Sequence, residues 1–120
     1  MPSNVAIVFV PDYSQKLEKV AFHTPVWLAD TPANHEAAER AWHSAIEWPH
    51  ISVTLFRPPA GPPSRDDWHT LLAEVSIRER NTDAIEVVGT ELTPVARATF
   101  TSAGYTRFEE TATGFKARKW

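Results

Sequence analysis

The chain has 120 residues, 42% of them apolar and 22% charged, with a formal net charge of −3 and no cysteine. Such a length suits one domain that buries about two-thirds of its unfolded surface, and such a balance belongs to a folded protein, not to a disordered or fibrous one. Disulfides, thiolate nucleophiles and thiolate metal sites are excluded, and Lys and Arg cluster only at Lys116, Arg118 and Lys119, which argues against duplex nucleic acid as a partner.

The opening Met1-Pro-Ser-Asn-Val5 lacks the basic region and cleavage pattern of a signal peptide. No apolar run nears the roughly 18 residues of a membrane span, so a soluble cytoplasmic protein is expected. Val5-Ala-Ile-Val-Phe-Val10, stopped by Pro11, is apolar without alternation, as in a strand covered on both faces at the centre of a parallel sheet. Ser14 can cap a short helix from Gln15 to Phe22, in which Leu17, Val20 and Ala21 face inward. Pro25 to Ala29 reads as a second strand ending at Asp30.

Thr31-Pro32 is a strong helix start, because Thr accepts from a free backbone N–H and Pro has no N–H to leave unpaired. The helix is expected to reach about Glu47, with Ala38, Ala41, Trp42, Ala45 and Ile46 inward and Glu36, Arg40, His43 and Glu47 toward water. His50 to Phe56 forms a third strand with Ile51, Val53 and Leu55 on one face. The proline-rich Arg57 to Pro63 makes a stiff loop that sets the next crossover. Ser64 and Asp67 match a capping box for a second long helix whose buried stripe is Trp68, Leu71, Leu72 and Val75. Ala84 to Val88 is a fourth strand closed by Gly89. Thr93-Pro94 repeats the earlier helix start, and Gly104 suits the left-handed position past the helix end. The remainder reads as a terminal hairpin, or as a strand and an ordered tail.

Strand and helix alternate, so the expected fold class is α/β: one domain over residues 1–120, a three-layer sandwich around a mostly parallel, doubly wound sheet of about five strands, with an antiparallel C-terminal edge strand as an option. The competing architecture is an open α+β domain.

In doubly wound sheets ligands bind beyond the carboxyl ends of the strands, where strand order reverses. Those ends present Asp12 and Ser14, Asp30, Arg57, and Thr90 and Glu91 as candidate ligand-binding residues. Asp30 stands where dinucleotide-binding folds hold a ribose, but the Pro11-Asp-Tyr-Ser14 loop has no glycine to let a phosphate reach the backbone, so capping and turn formation are the better account of Asp30. A receiver-type site fails because Arg57-Pro58 stands where the phosphoacceptor Asp belongs. His35, Glu39 and His43 share one helical side at successive i,i+4 steps, yet lack the tighter spacing of a His-Glu-x-x-His zinc site, and a solvated face explains them. His23, His50 and His69 accompany no nucleophile motif, so no catalytic residue, metal or cofactor is implied.

Five tryptophans remain to be placed. Trp27, Trp42 and Trp68 are expected inside, whereas Trp48 and Trp120 are candidate anchors for a partner protein. Two functions of different classes are carried forward. One is a non-enzymatic interaction module for another protein, a basic one in particular, or for itself, in the manner of an antitoxin or immunity-type inhibitor. The other is a small-ligand-binding protein or enzyme in which Arg57 grips an anion and Asp12 or Asp30 moves a proton.

Overall fold

A computed structural model describes residues 5–10, 17–21, 24–47 and 50–119. In chain order these form β1 (Val5–Phe9), α1 (Leu17–Ala21), β2 (Val26–Ala29), α2 (Pro32–Ser44), β3 (Val53–Phe56), α3 (Arg65–Arg78), β4 (Ala84–Val88), α4 (Pro94–Ser102), β5 (Arg107–Glu110) and β6 (Gly114–Arg118). One six-stranded sheet runs in the order β3-β2-β1-β4-β6-β5. The first four strands in that order are parallel, and β6 joins β4 and β5 antiparallel. No helix among the described residues is long and apolar enough to cross a membrane.

β1 occupies the interior, with Val8 opposite Trp27 on one side and Val87 on the other, as its unbroken apolar run requires. The period of two sends alternate residues to two separate cores. Ala6, Val8, Trp27, Ile85, Val87 and Phe115 pack with Trp68, Leu71, Leu72 and Val75 of α3 and with Ala96 and Phe100 of α4. Val26, Leu28 and Val53 pack instead with Leu17 and Ala21 of α1 and with Ala37, Ala38 and Ala41 of α2.

The sheet has six strands, where the sequence suggests about five, and the last strand is not the edge. β6 carries the fully buried Phe115 and Ala117, so it needs a neighbour on each side, while β5 is charged and exposed at Arg107, Glu109 and Glu110 and so tolerates the edge. The hairpin abuts β4 closely, with the Gly89 N–H donating to the Thr113 carbonyl at 2.8 Å.

The helix starts follow their sequence signals. Thr31 accepts from the Asn34 N–H, Thr93 accepts from the Ala96 N–H, and Ser64 with Asp67 forms a reciprocal capping box. We expect Thr31→Ala to lower stability by about 1 kcal/mol in urea unfolding and Thr31→Ser to retain most of it.

The inward stripe of α2 differs from expectation. It runs Asn34, Ala37, Ala38 and Ala41, a rotation of roughly 60° from the expected one at 100° per residue. Asn34 is fully buried and its Nδ2 donates to the Ala29 carbonyl at 2.9 Å, which fixes the helix start against the end of β2. The small alanines then let the helix approach the sheet, and the bulky Trp42 is turned out to the rim, 41% exposed. Ile46 is 83% exposed beyond the helix end at Ser44, three residues short of the expected Glu47.

In the α3/α4 core, Trp68, Phe100, Phe115 and Tyr105 pack edge to face, with ring centroids 5.2–6.0 Å apart. Burial first, and then the Asp83 carboxylate, pushes the Tyr105 phenol up to about 12. Below the ordinary phenol range the group is protonated in folded and unfolded chains alike. As pH rises above about 10 the unfolded chain ionises first, so stability falls until about pH 12, by at most roughly 3 kcal/mol. Urea unfolding at pH 9 and pH 11 is expected to show about half of this loss in the wild type and to show it much reduced in Tyr105→Phe.

Past the end of α3, burial raises the Glu79 pKa, opposed by Ser52, Trp27 and Arg78. The fully buried Trp27 Nε1 is outside hydrogen-bond geometry. Its effect on Glu79 is therefore electrostatic attraction and not a formed hydrogen bond.

Candidate functional site

Strand order locates the reversal point of the sheet. From β1 the chain adds β2 and then β3 on one side, and then crosses to place β4 on the other side of β1. The crevice that such folds use therefore lies between the carboxyl ends of β1 and β4. Asp12 and Ser14, which follow β1, lie outside the described residues, as do the candidate anchors Trp48 and Trp120.

The remaining strand-end candidates are described. Thr90 is half-buried and Glu91 exposed, following Gly89 with its positive φ of 100°. Asp30 and Arg57 stand at the ends of neighbouring strands, with the Asp30 N–H donating to the Phe56 carbonyl at 2.8 Å. Their side chains serve different surroundings. Arg57 lines a groove of about 510 Å³ between the proline-rich loop and α3, together with Asp66, Asp67 and Glu74. It also lines a smaller cavity with Val10, Phe56 and Trp68. Neither includes Asp30, Thr90 or Glu91. Three carboxylates beside one guanidinium oppose an anionic ligand there.

Asp30 instead joins a cluster on α2 that extends along the helix surface. His35 Nδ1 lies 3.3 Å from Asp30 Oδ1, and His35 Nε2 lies 3.0 Å from Glu39 Oε1. Carboxylate oxygens only accept, so both contacts are hydrogen bonds together when the ring carries both protons. The two carboxylates meet opposite ring nitrogens, an arrangement that cannot converge on one ion. Among the described residues no group of three or more His, Asp or Glu is placed to hold a metal.

Trp42 lies on the same side of α2, three residues beyond Glu39, and the exposed Ile46 follows in the turn just past the helix end at Ser44. The His35 ring meets the Trp42 ring edge-on at 6.5 Å. The Trp42 indole N–H donates to the Val53 carbonyl at 2.9 Å. β3 is an edge strand, and alternate backbone groups along it face away from β2, so Trp42 covers part of an otherwise open row. Among the described residues, the carboxylates of Asp30, Glu36, Glu39 and Glu47 lie on or beside α2, with the guanidinium of Arg40 reaching Glu36 at 3.8 Å. The surface combines an exposed apolar pair with an acidic surround.

Trp42 and Ile46 are thus residues that sequence reasoning misplaced. The available signal was Asn34-x-x-Ala37-Ala38-x-x-Ala41, an equally regular stripe whose small residues permit close packing.

Compared with protein-family models, curated proteins and solved structures, the chain matches none.

Proposed function

We propose that this chain is a non-enzymatic protein-interaction module, one doubly wound three-layer domain, and that its partner is a basic protein bound across His35, Glu39 and Trp42 of α2 and Ile46 just past its end. The observation that carries this reading is the outward Trp42 and Ile46 within an acidic surround. Half-exposed aromatic rings surrounded by charge anchor partners because they bury a large rigid area at low entropic cost. Four carboxylates near one guanidinium favour cationic groups at the rim, which raise the association rate and exclude acidic competitors. Occupancy of the Val53 carbonyl by Trp42 opposes strand addition at β3 and favours recognition through side chains over edge-to-edge self-association. An antitoxin or immunity-type inhibitor would use such a surface.

The test is affinity capture from the native host with wild type and Ile46→Asp side by side. Ile46 is so exposed that its replacement leaves folding intact. The expected result is a stoichiometric basic protein retained by the wild type, released by salt, and weakened at least tenfold by Ile46→Asp and more by Trp42→Ser. Equal retention by all three forms, or no stoichiometric partner, overturns the proposal.

A further inference from the structure

The α3/α4 side of the sheet holds a groove unrelated to the α2 surface. Between α3 and α4 lies a cavity of about 280 Å³, walled by Leu72, Ala73 and Thr99, with His69, Tyr105 and Lys119 at its polar positions. That volume is close to the lower end of the range for small-molecule sites. No carboxylate is in its lining and Lys119 is the only permanently charged residue there, although the Asp83 carboxylate lies near enough to Tyr105 to raise its pKa and the chain is acidic overall. The groove beside Arg57, with its three carboxylates, has the opposite character.

Two of the polar positions are held in place by their surroundings. The Lys119 N–H donates to the Asp83 carbonyl at 2.9 Å, and its ammonium sits 5.4 Å from the centre of the Tyr105 ring. Tyr105 is only 5% exposed, its ring packed on Phe100 at 5.6 Å. Its hydroxyl makes no hydrogen bond among the described residues. A phenol at the wall of a groove with no hydrogen-bond partner among the described residues is free to donate to an acceptor. The raised pKa keeps this phenol a donor at any physiological pH. The Thr99 hydroxyl donates to the Val95 carbonyl and the Ser102 hydroxyl to the Ala98 carbonyl. Lys119, Tyr105, His69 and Ser76 are then the remaining polar side chains that line the groove.

We infer that this groove binds a small amphipathic monocarboxylate, an aromatic or short aliphatic acid, with its carboxylate between the Lys119 ammonium and the Tyr105 hydroxyl and its apolar part against Leu72 and Ala73. The Lys119 side chain supplies charge and the phenol supplies direction, a pairing that a neutral amide of the same shape would satisfy only in part.

The test is an amide-resolved NMR titration of the full chain with benzoate and with hexanoate, and with benzamide as the neutral match. The expected result is saturable shifts from either acid, confined to 69–76, 99–105 and 119, with benzamide weaker by at least about fivefold. Lys119→Gln, which keeps the backbone bond to Asp83, is expected to weaken acid binding by about tenfold, and Tyr105→Phe by several-fold, with both melting temperatures near wild type. Ile46→Asp is expected to leave the titration unchanged, which separates this groove from the α2 surface. Absence of saturable shifts with both acids, equal binding of benzamide, or saturable shifts centred elsewhere overturns the inference.

Discussion

Gly114→Ala is expected to destabilise the protein by more than about 3 kcal/mol, among the larger effects that a single methyl group can have. The reason is close backbone approach. A Cβ at this position would collide with the Val87 carbonyl oxygen and would lie 3.0 Å from the Val87 carbonyl carbon and 3.1 Å from the Thr90 carbonyl oxygen. All three are backbone atoms, so no side chain can rotate away. The only relief is to separate β6 from β4, and that opens the ladder from Val88–Gly114 onward and lifts Phe115 from the core. Gly61 provides the control, since a Cβ there meets nothing within 4 Å. Gly61→Ala is expected to change stability by less than about 0.5 kcal/mol. Urea unfolding of the two variants decides the matter, and a Gly114→Ala protein as stable as wild type would contradict the β4–β6 junction.

Trp68→Ala is expected to cost about 3–5 kcal/mol. Trp68 is 2% exposed and touches Phe100 at 5.2 Å and Phe115 at 6.0 Å, so it joins α3 to α4 and to the sheet. Truncation leaves a void where three elements meet, and rigid aromatic neighbours cannot collapse into it. The Trp68 indole N–H has no hydrogen-bond partner among the described residues, so volume and ring contacts carry the stabilisation. Trp68→Phe is therefore expected to lose less than half as much as Trp68→Ala. Equal losses for the two would show that the N–H matters more than the ring.

Local signals were legible where one residue decides one backbone group. Thr31-Pro32, Thr93-Pro94 and Ser64 with Asp67 marked three helix starts, and Gly104 takes the left-handed φ of 103° expected past α4. The unbroken apolar run of Val5 to Val10 gave an interior strand. Strand order was not legible, because hydrophobic period reports which face is buried and not which strand lies beside it. The interior place of β6 depends on Gly114 meeting Val87, a contact between distant parts of the chain. The orientation of α2 was misread for a different reason. Hydrophobicity ranks Trp42 and Ile46 above Asn34, whereas packing chose Asn34, whose amide meets the Ala29 carbonyl.

Site residues were harder still. Asp30 was read as a turn residue and as a strand-end candidate, and its contact with His35 joins it to α2. The polar positions of the second groove are separated along the chain, from His69 through Tyr105 to Lys119, and share no local pattern. Only packing α3 on α4 and closing the terminal hairpin brings them together.

The partner surface on α2 is the central claim, and hydrogen exchange of the complex with its captured partner tests it most directly. Protection is expected over the second half of α2 and along β3, where Trp42 meets the Val53 carbonyl, with the carboxyl ends of the strands unchanged. Protection centred on Arg57 and residues 89–92, with α2 exchanging as in the free protein, would contradict it.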